Sequence, residues 1–236
     1  MNLNISPAIF ERFPNTVLGV VIAHGIDNTG EKPEVLHVLR EAEAQTVQAF
    51  SGVTVSEHPH IAVWREAYRQ FGSKPKDYPS SVENLVRRIS KGYQLPHINL
   101  LVDIYNTVSL RHVLPVGGED LDTIEGDVWL TFASENEAPV VLLGESEARA
   151  PYPGEVIYRD NVGAICRRWN WKEADRTKFT PATRNAFLVI EGLPPVSHSL
   201  IETAITELAA SVREHCGGSV STALLDSSRP VVLLTA

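Results

Sequence analysis

A change of pattern at Pro115 constrains the fold more than any other feature of the chain. Upstream, apolar residues recur at helical spacing; downstream, short apolar runs are separated by Gly, Pro and Asn. Glu31 to Phe50 places Val35, Leu36, Leu39, Ala42 and Val47 at helical intervals. Ile61 to Phe71 does the same with Val63, Trp64, Ala67, Tyr68 and Phe71. Gly72 to Pro79 reads as a loop, and Ser80 with Glu83 has the spacing of a reciprocal capping box, so a helix starts there with Leu85, Val86 and Ile89 inward. Ile98 to His112 is a fourth helical stretch. One strand, Val17 to Ala23, precedes the helices. Val128–Phe132, Val140–Leu143, Glu155–Tyr158, Val162–Arg167 and Ala186–Glu191 follow as strands, then a helix over Ser199–His215 and a strand over Val231–Leu234. This segregation predicts an α+β fold, with helices packed on a mixed or antiparallel, sandwich-like sheet region. No repeat or linker interrupts it, so residues 1–236 read as one domain.

Composition narrows the function classes. Apolar residues make up 43% and charged residues 21%, as in ordinary globular proteins. The longest clean apolar run, Val17 to Ala23, is far short of the roughly 20 residues a membrane span needs. The N-terminal MNLNISPAIFERF lacks a secretory pattern, and Cys166 and Cys216 form no framework, so a cytoplasmic setting without a membrane partner is expected. The net charge of −8 argues against DNA, yet it hides an asymmetry. Arg65 to Lys91 holds seven bases and three acids, as does Arg159 to Arg184, while Glu119 to Glu155 holds ten acids and one base. Two basic segments converging on one face would suit RNA; an unevenly charged solvated surface explains the counts equally well.

Neither GxGxxG, a P-loop, GxSxG nor HExxH occurs. His58-x-His60 would place two imidazoles on one face of a strand, without a third ligand at usable spacing, so no metal and no cofactor is expected.

The stretch Asn99 to Glu125, NLLVDIYNTVSLRHVLPVGGEDLDTIE, carries a resemblance. Leu101-Val102-Asp103 with Asn106, then Pro115, then Asp120-Leu121-Asp122 resemble the pattern of the editing (B3/B4) domain of the phenylalanyl-tRNA synthetase beta chain. Gly163 to Arg168 resembles that family's glycine loop, and Thr183 to Val189 its Thr-x-Asn strand. The resemblance covers about 64–193 and implies a free-standing B3/B4-like domain without the machinery for aminoacylation. It implies hydrolysis of misacylated aminoacyl-tRNA in trans, with the charged tRNA 3′ end as partner. Three departures stand out. Gly117 falls where the family has a histidine, Arg167 and Arg168 replace its paired glycines, and Val189 sits where its tyrosine-reading glutamate would be, with Glu191 two residues on. These departures keep open a non-catalytic module of the same fold that binds RNA or an amino acid.

Ester hydrolysis needs a held water, donors for the oxyanion and a side-chain pocket. Asn106, Asn170 and Glu191 are the candidate catalytic residues, with Tyr158, Arg159, Asn161, Arg167, Trp169 and Trp171 as candidate substrate contacts. Arg159 or Arg167 suits the terminal phosphate. Trp169 and Trp171 suit stacking of the terminal adenine or an amino-acid pocket, though two large aromatics sharing a strand face are as readily core. Asp103 and Asn106 more readily serve the backbone than catalysis, Cys166 reads first as a small core residue, and His24 and Asp27 are either at a pocket mouth or in a turn.

Overall fold

The computed structural model describes residues 1–235. In chain order the elements are β1 (Asn2–Ile5), α1 (Pro7–Arg12), β2 (Val17–His24), α2 (Pro33–Ala49), α3 (Pro59–Gln70), α4 (Ser81–Ser90) and α5 (Leu100–His112). They continue with β3 (Val116–Asp120), β4 (Val128–Phe132), β5 (Val140–Val141), β6 (Ala148–Arg149), β7 (Val156–Arg159), β8 (Ala164–Arg167) and β9 (Lys172–Glu173). Last come β10 (Asn185–Gly192), α6 (His198–Cys216), β11 (Ser219–Leu225) and β12 (Val231–Leu233). The fold is α+β, as the segregated pattern predicts.

Two sheets form the centre. A four-stranded antiparallel sheet runs β11-β2-β10-β3, and a six-stranded sheet runs β12-β1-β4-β7-β8-β9 with one parallel pair, β1 and β4. β2 reads as a continuous apolar run because both its faces are covered. Leu18, Val20 and Ile22 face the second sheet and join Leu3, Ile5, Leu130, Phe187 and Val189 in one core, closed from the side by Trp64 and Tyr68 of α3. The alternate residues Val17, Val21 and Ala23 pack with Leu188 and Ile190 against α5 and α6. A third cluster joins α2 to α4 through Leu39, Val82, Val86 and Ile89.

Six of the described helices and strands are invisible in the apolar pattern, β6 and β9 among them because each is only two residues long. β1 and α1 are too short to show a period. β11 is largely exposed. β3 reads Val-Gly-Gly-Glu-Asp, whose two glycines leave no alternation to detect. Gly118 is required there because a Cβ would meet the Phe187 carbonyl oxygen at 2.5 Å.

The capping box at Ser80 is half made. Ser80 Oγ accepts the Glu83 N–H at 3.4 Å, but the Glu83 carboxylate turns to Arg65 at 2.7 Å and Arg87 at 2.6 Å. His58 and His60 lie at the start of α3 rather than on a strand, their rings edge to face at 5.3 Å. No His/Cys/Asp/Glu cluster suited to a metal exists among the described residues. No helix among them is long and apolar enough to cross a membrane.

Candidate functional site

A cleft of about 960 Å³ lies between the two sheets and is lined also by α4 and α5. β10 lines it with Phe187, Val189 and Glu191, which share a face by strand alternation. β3 adds Glu119 and Gly117, in register with Phe187 and Val189. From the six-stranded sheet come Tyr158, Cys166 and Glu173, side by side across β7, β8 and β9. Arg88 of α4 and Tyr105 and Asn106 of α5 close the flank.

Glu191 is the hub. It is 2% exposed, and Tyr158 Oη donates to its Oε1 at 2.5 Å, across from one sheet to the other. Asn170 Nδ2 donates to its Oε2 at 2.5 Å, and Tyr68 Oη donates to Asn170 Oδ1 at 2.8 Å. Burial pushes the Glu191 carboxyl up to about 7, and the Tyr158 and Asn170 donors keep it from rising further. The Trp169 indole N–H lies near Glu191 but closes no hydrogen bond.

Asn170 is aimed by an unusual turn. After β8 the chain passes through Arg168 at φ 48° and Trp169 at φ 67°, both in the left-handed region. Such residues cost on the order of 1–3 kcal/mol each and persist where surroundings enforce them. Here Trp169 is locked between Trp64 and Phe13, at ring distances of 5.1 and 4.9 Å. The Arg168 guanidinium stacks 3.7 Å over Tyr78 and 4.5 Å over Trp171.

Two further carboxylates share the floor. Glu173 is half-buried, and burial raises it to about 7 against a partial offset from the Gly118 amide. Its Oε1 fills the room that Gly117 leaves, 2.9 Å from where a Cβ would stand. Glu119 is buried and pushed well above the usual carboxylate range, first by burial and then by the charge of Glu173. Its Oε2 is buried without a partner. The Cys166 thiol is pushed well up by burial, so it is a poor nucleophile.

These raised carboxyls set a pH dependence. Folded values near 7 against 4.5 for Glu173 and Glu191 mean that the folded state holds protons the unfolded chain releases. Their contribution is full below about pH 4.5 and is lost as pH rises through about 7, on the order of 3 kcal/mol for the buried Glu191 and less for the half-buried Glu173. Glu207, held down to about 2 mainly by His112 and Arg111, acts in the opposite sense and only below pH 4.5. Urea unfolding of the ligand-free protein at constant salt should therefore show a lower midpoint at pH 8 than at pH 5.5. Equal midpoints would remove the buried charge from the cleft.

Of the residues expected from sequence, Asn106, Tyr158, Trp169, Asn170, Trp171 and Glu191 line the cleft. Trp169 and Trp171 do not share a strand face, because β8 ends at Arg167 and a turn follows. Arg159, Asn161 and Arg167 do not line it. Arg159 pairs with Glu137 at 3.4 Å, and Asn161 is exposed beside Gly126. Arg167 is buried in a two-pronged bond to Glu155, Nε at 2.9 Å and Nη2 at 2.7 Å. Asp103 is buried against His97 at 2.5 Å. His24 bonds Asn185 and Asp27 caps its own turn through Thr29, so neither is at the cleft. Glu119 and Glu173 were not anticipated. The signal for the first was the glycine pair before it; nothing local marks the second.

The two basic segments differ in kind. In the second, Arg159, Arg167, Lys172, Arg176 and Lys178 are each within 3.4 Å of a carboxylate. In the first, Lys74, Lys76, Arg88 and Lys91 are exposed and form no ion pair among the described residues.

A family model described as B3/4 domain matches residues 63–217, well over half of the chain. Among solved structures, an N-terminal fragment of the phenylalanyl-tRNA synthetase beta-subunit from Pyrococcus horikoshii is similar, at 12% identity and a TM-score of 0.46, over 92% of this chain and 49% of that one. The chain thus spans about half the length of that fragment. No match is found among curated proteins.

Proposed function

The chain belongs to the B3/4 domain family, and we propose that it hydrolyses a misacylated aminoacyl-tRNA in trans, freeing the amino acid from the tRNA 3′ end. The observation that carries this reading is a cleft of about 960 Å³ lined by three glutamates and by the exposed Arg88. The floor of Glu119, Glu173 and Glu191 suits the α-ammonium that every aminoacyl ester carries. Glu191, with Tyr158 and Asn170, offers a fixed set of polar contacts to the aminoacyl group, and Asn106 and Trp171 offer a wall. Arg88 and Lys91, with Lys74 and Lys76 in the loop before α4, are the bases available to phosphates, in place of Arg159 and Arg167. Water is the nucleophile, and the vicinal hydroxyl of the terminal ribose helps to position it, so no Ser or Cys is needed. Residues 1–236 act as one domain on this reading, since both main cores share the four-stranded sheet.

Charge sets the preference among substrates. An acidic side chain entering this floor meets like charge, whereas a cationic one gains a second partner. Deacylation of a panel of mischarged tRNAs tests both points. Adducts with basic or neutral side chains should be cleaved faster than spontaneously, and acidic ones at least about tenfold more slowly than basic ones. Binding of a cationic amino-acid ester should tighten between pH 6 and 8, as Glu191 and Glu173 ionise. A panel in which no member is cleaved above its spontaneous rate overturns hydrolysis. The second reading, a binding module of the same fold, is favoured by Gly117 at the family histidine's place, and is separated by ligand affinity without turnover.

A further inference from the structure

We propose that Glu173 is the general base of the ester hydrolysis and that Glu119, which lines the same cleft floor, is its positioning partner. This rests on the hydrolytic reading above. Glu173 and Glu119 reach the floor from different sheets, β9 and β3. Gly117 has no side chain, and the carboxylate of Glu173 occupies the opening that results. Glu119 Oε2 is buried and unpartnered, in a side chain that is 4% exposed and lines the same cleft. A polar atom in that state wants a donor or a proton.

The fully buried Glu119 retains its proton, and the half-buried Glu173 ionises near neutrality. The groups that face this pair from the surrounding elements are Glu191 of β10, Cys166 of β8, Tyr105 of α5, and Arg176 and Asp160 near Glu119. Cys166 and Tyr105 stay protonated through the neutral range, because burial and the neighbouring carboxylates push both up. Glu173 is thus free to exchange a proton.

The step balances without a co-reactant. Glu173 takes a proton from water as the water oxygen bonds to the ester carbonyl carbon. When the bond from that carbon to the ribose oxygen breaks, the proton passes from Glu173 to the departing oxygen. The products are a free amino acid, its carboxyl proton lost to solvent, and a tRNA with a free terminal hydroxyl. Glu173 returns to its starting state.

The test is single-turnover deacylation, between pH 5.5 and 9, of whichever mischarged tRNA the wild type cleaves. Tyr158, Asn170 and Glu191 are left untouched. Glu173→Gln is expected to lower the rate constant at least about 100-fold when measured at saturating enzyme, where a loss of substrate binding does not enter. The acid limb near pH 7 should flatten in the residual rate. Gly117→Ala is a second probe. Its methyl meets only the tip of the Glu173 side chain, so it displaces the base while leaving the strand intact. It is expected to cost about tenfold, which keeps the test open if Glu173→Gln does not fold. For Glu119, the neutral isostere Glu119→Gln should restore most of what Glu119→Ala loses, as expected of a residue that acts in its protonated form. A wild type that cleaves, together with a Glu173→Gln that keeps its rate, removes Glu173 and leaves hydrolysis standing. A wild type that cleaves nothing removes both.

Discussion

Arg167→Ala is expected to cost about 3–5 kcal/mol of stability, enough to leave the variant unfolded or nearly so. The cause is the partner left behind. Glu155 is 0% exposed and accepts Arg167 through two nitrogens and the Arg168 backbone N–H at 3.0 Å. Removing the guanidinium strands a fully buried carboxylate, where charge is poorly solvated. Arg167→Lys should lose less, since it keeps the charge but not the two-pronged geometry. Urea unfolding of both variants measures this. An Arg167→Ala protein as stable as wild type but deficient in tRNA binding would return Arg167 to the role of a phosphate contact.

Gly118→Ala is the second large effect, expected at about 3 kcal/mol or more. The new methyl would stand 2.5 Å from the Phe187 carbonyl oxygen and 3.0 Å from the Leu188 Cα. Both are backbone atoms of β10, the strand paired with β3, so relief requires the two strands to part. Its neighbour provides the contrast. At Gly117 the obstacle is the Glu173 carboxylate alone, a flexible tip. Thermal unfolding should therefore separate the two variants widely: Gly117→Ala close to wild type in melting temperature, Gly118→Ala far below it. Similar melting temperatures would mean that β3 has slack that its pairing denies.

The contrast between these glycines also explains what could be read in the chain before folding. Long amphipathic helices and the buried run of β2 announce themselves by period, since burial selects apolar residues at 3.6 or 2.0 intervals. β3 escapes that logic, because its role is to let another backbone and another side chain come close, and glycine leaves no periodic trace. The site divides in the same way. Tyr158, Asn170 and Glu191 lie in or beside segments whose residue types already suggest polar chemistry, and they meet. Arg167 carries the same suggestion but is drawn to Glu155, twelve residues earlier, through strand pairing that no local pattern reveals. Glu173 joins the site only because β9 pairs with β8 beside Cys166. The basic residues follow the same rule. Equal counts of bases in two segments conceal one in which five of the seven are paired closely with carboxylates and one whose lysines remain exposed and form no ion pair among the described residues.

The cleft lies between the two sheets, with α4 and α5 also in its wall. Its volume of about 960 Å³ is that of a small-molecule site, so it takes a small group rather than a folded body. On the hydrolytic reading, a tRNA would place only its charged 3′ end in that volume and keep its paired body outside.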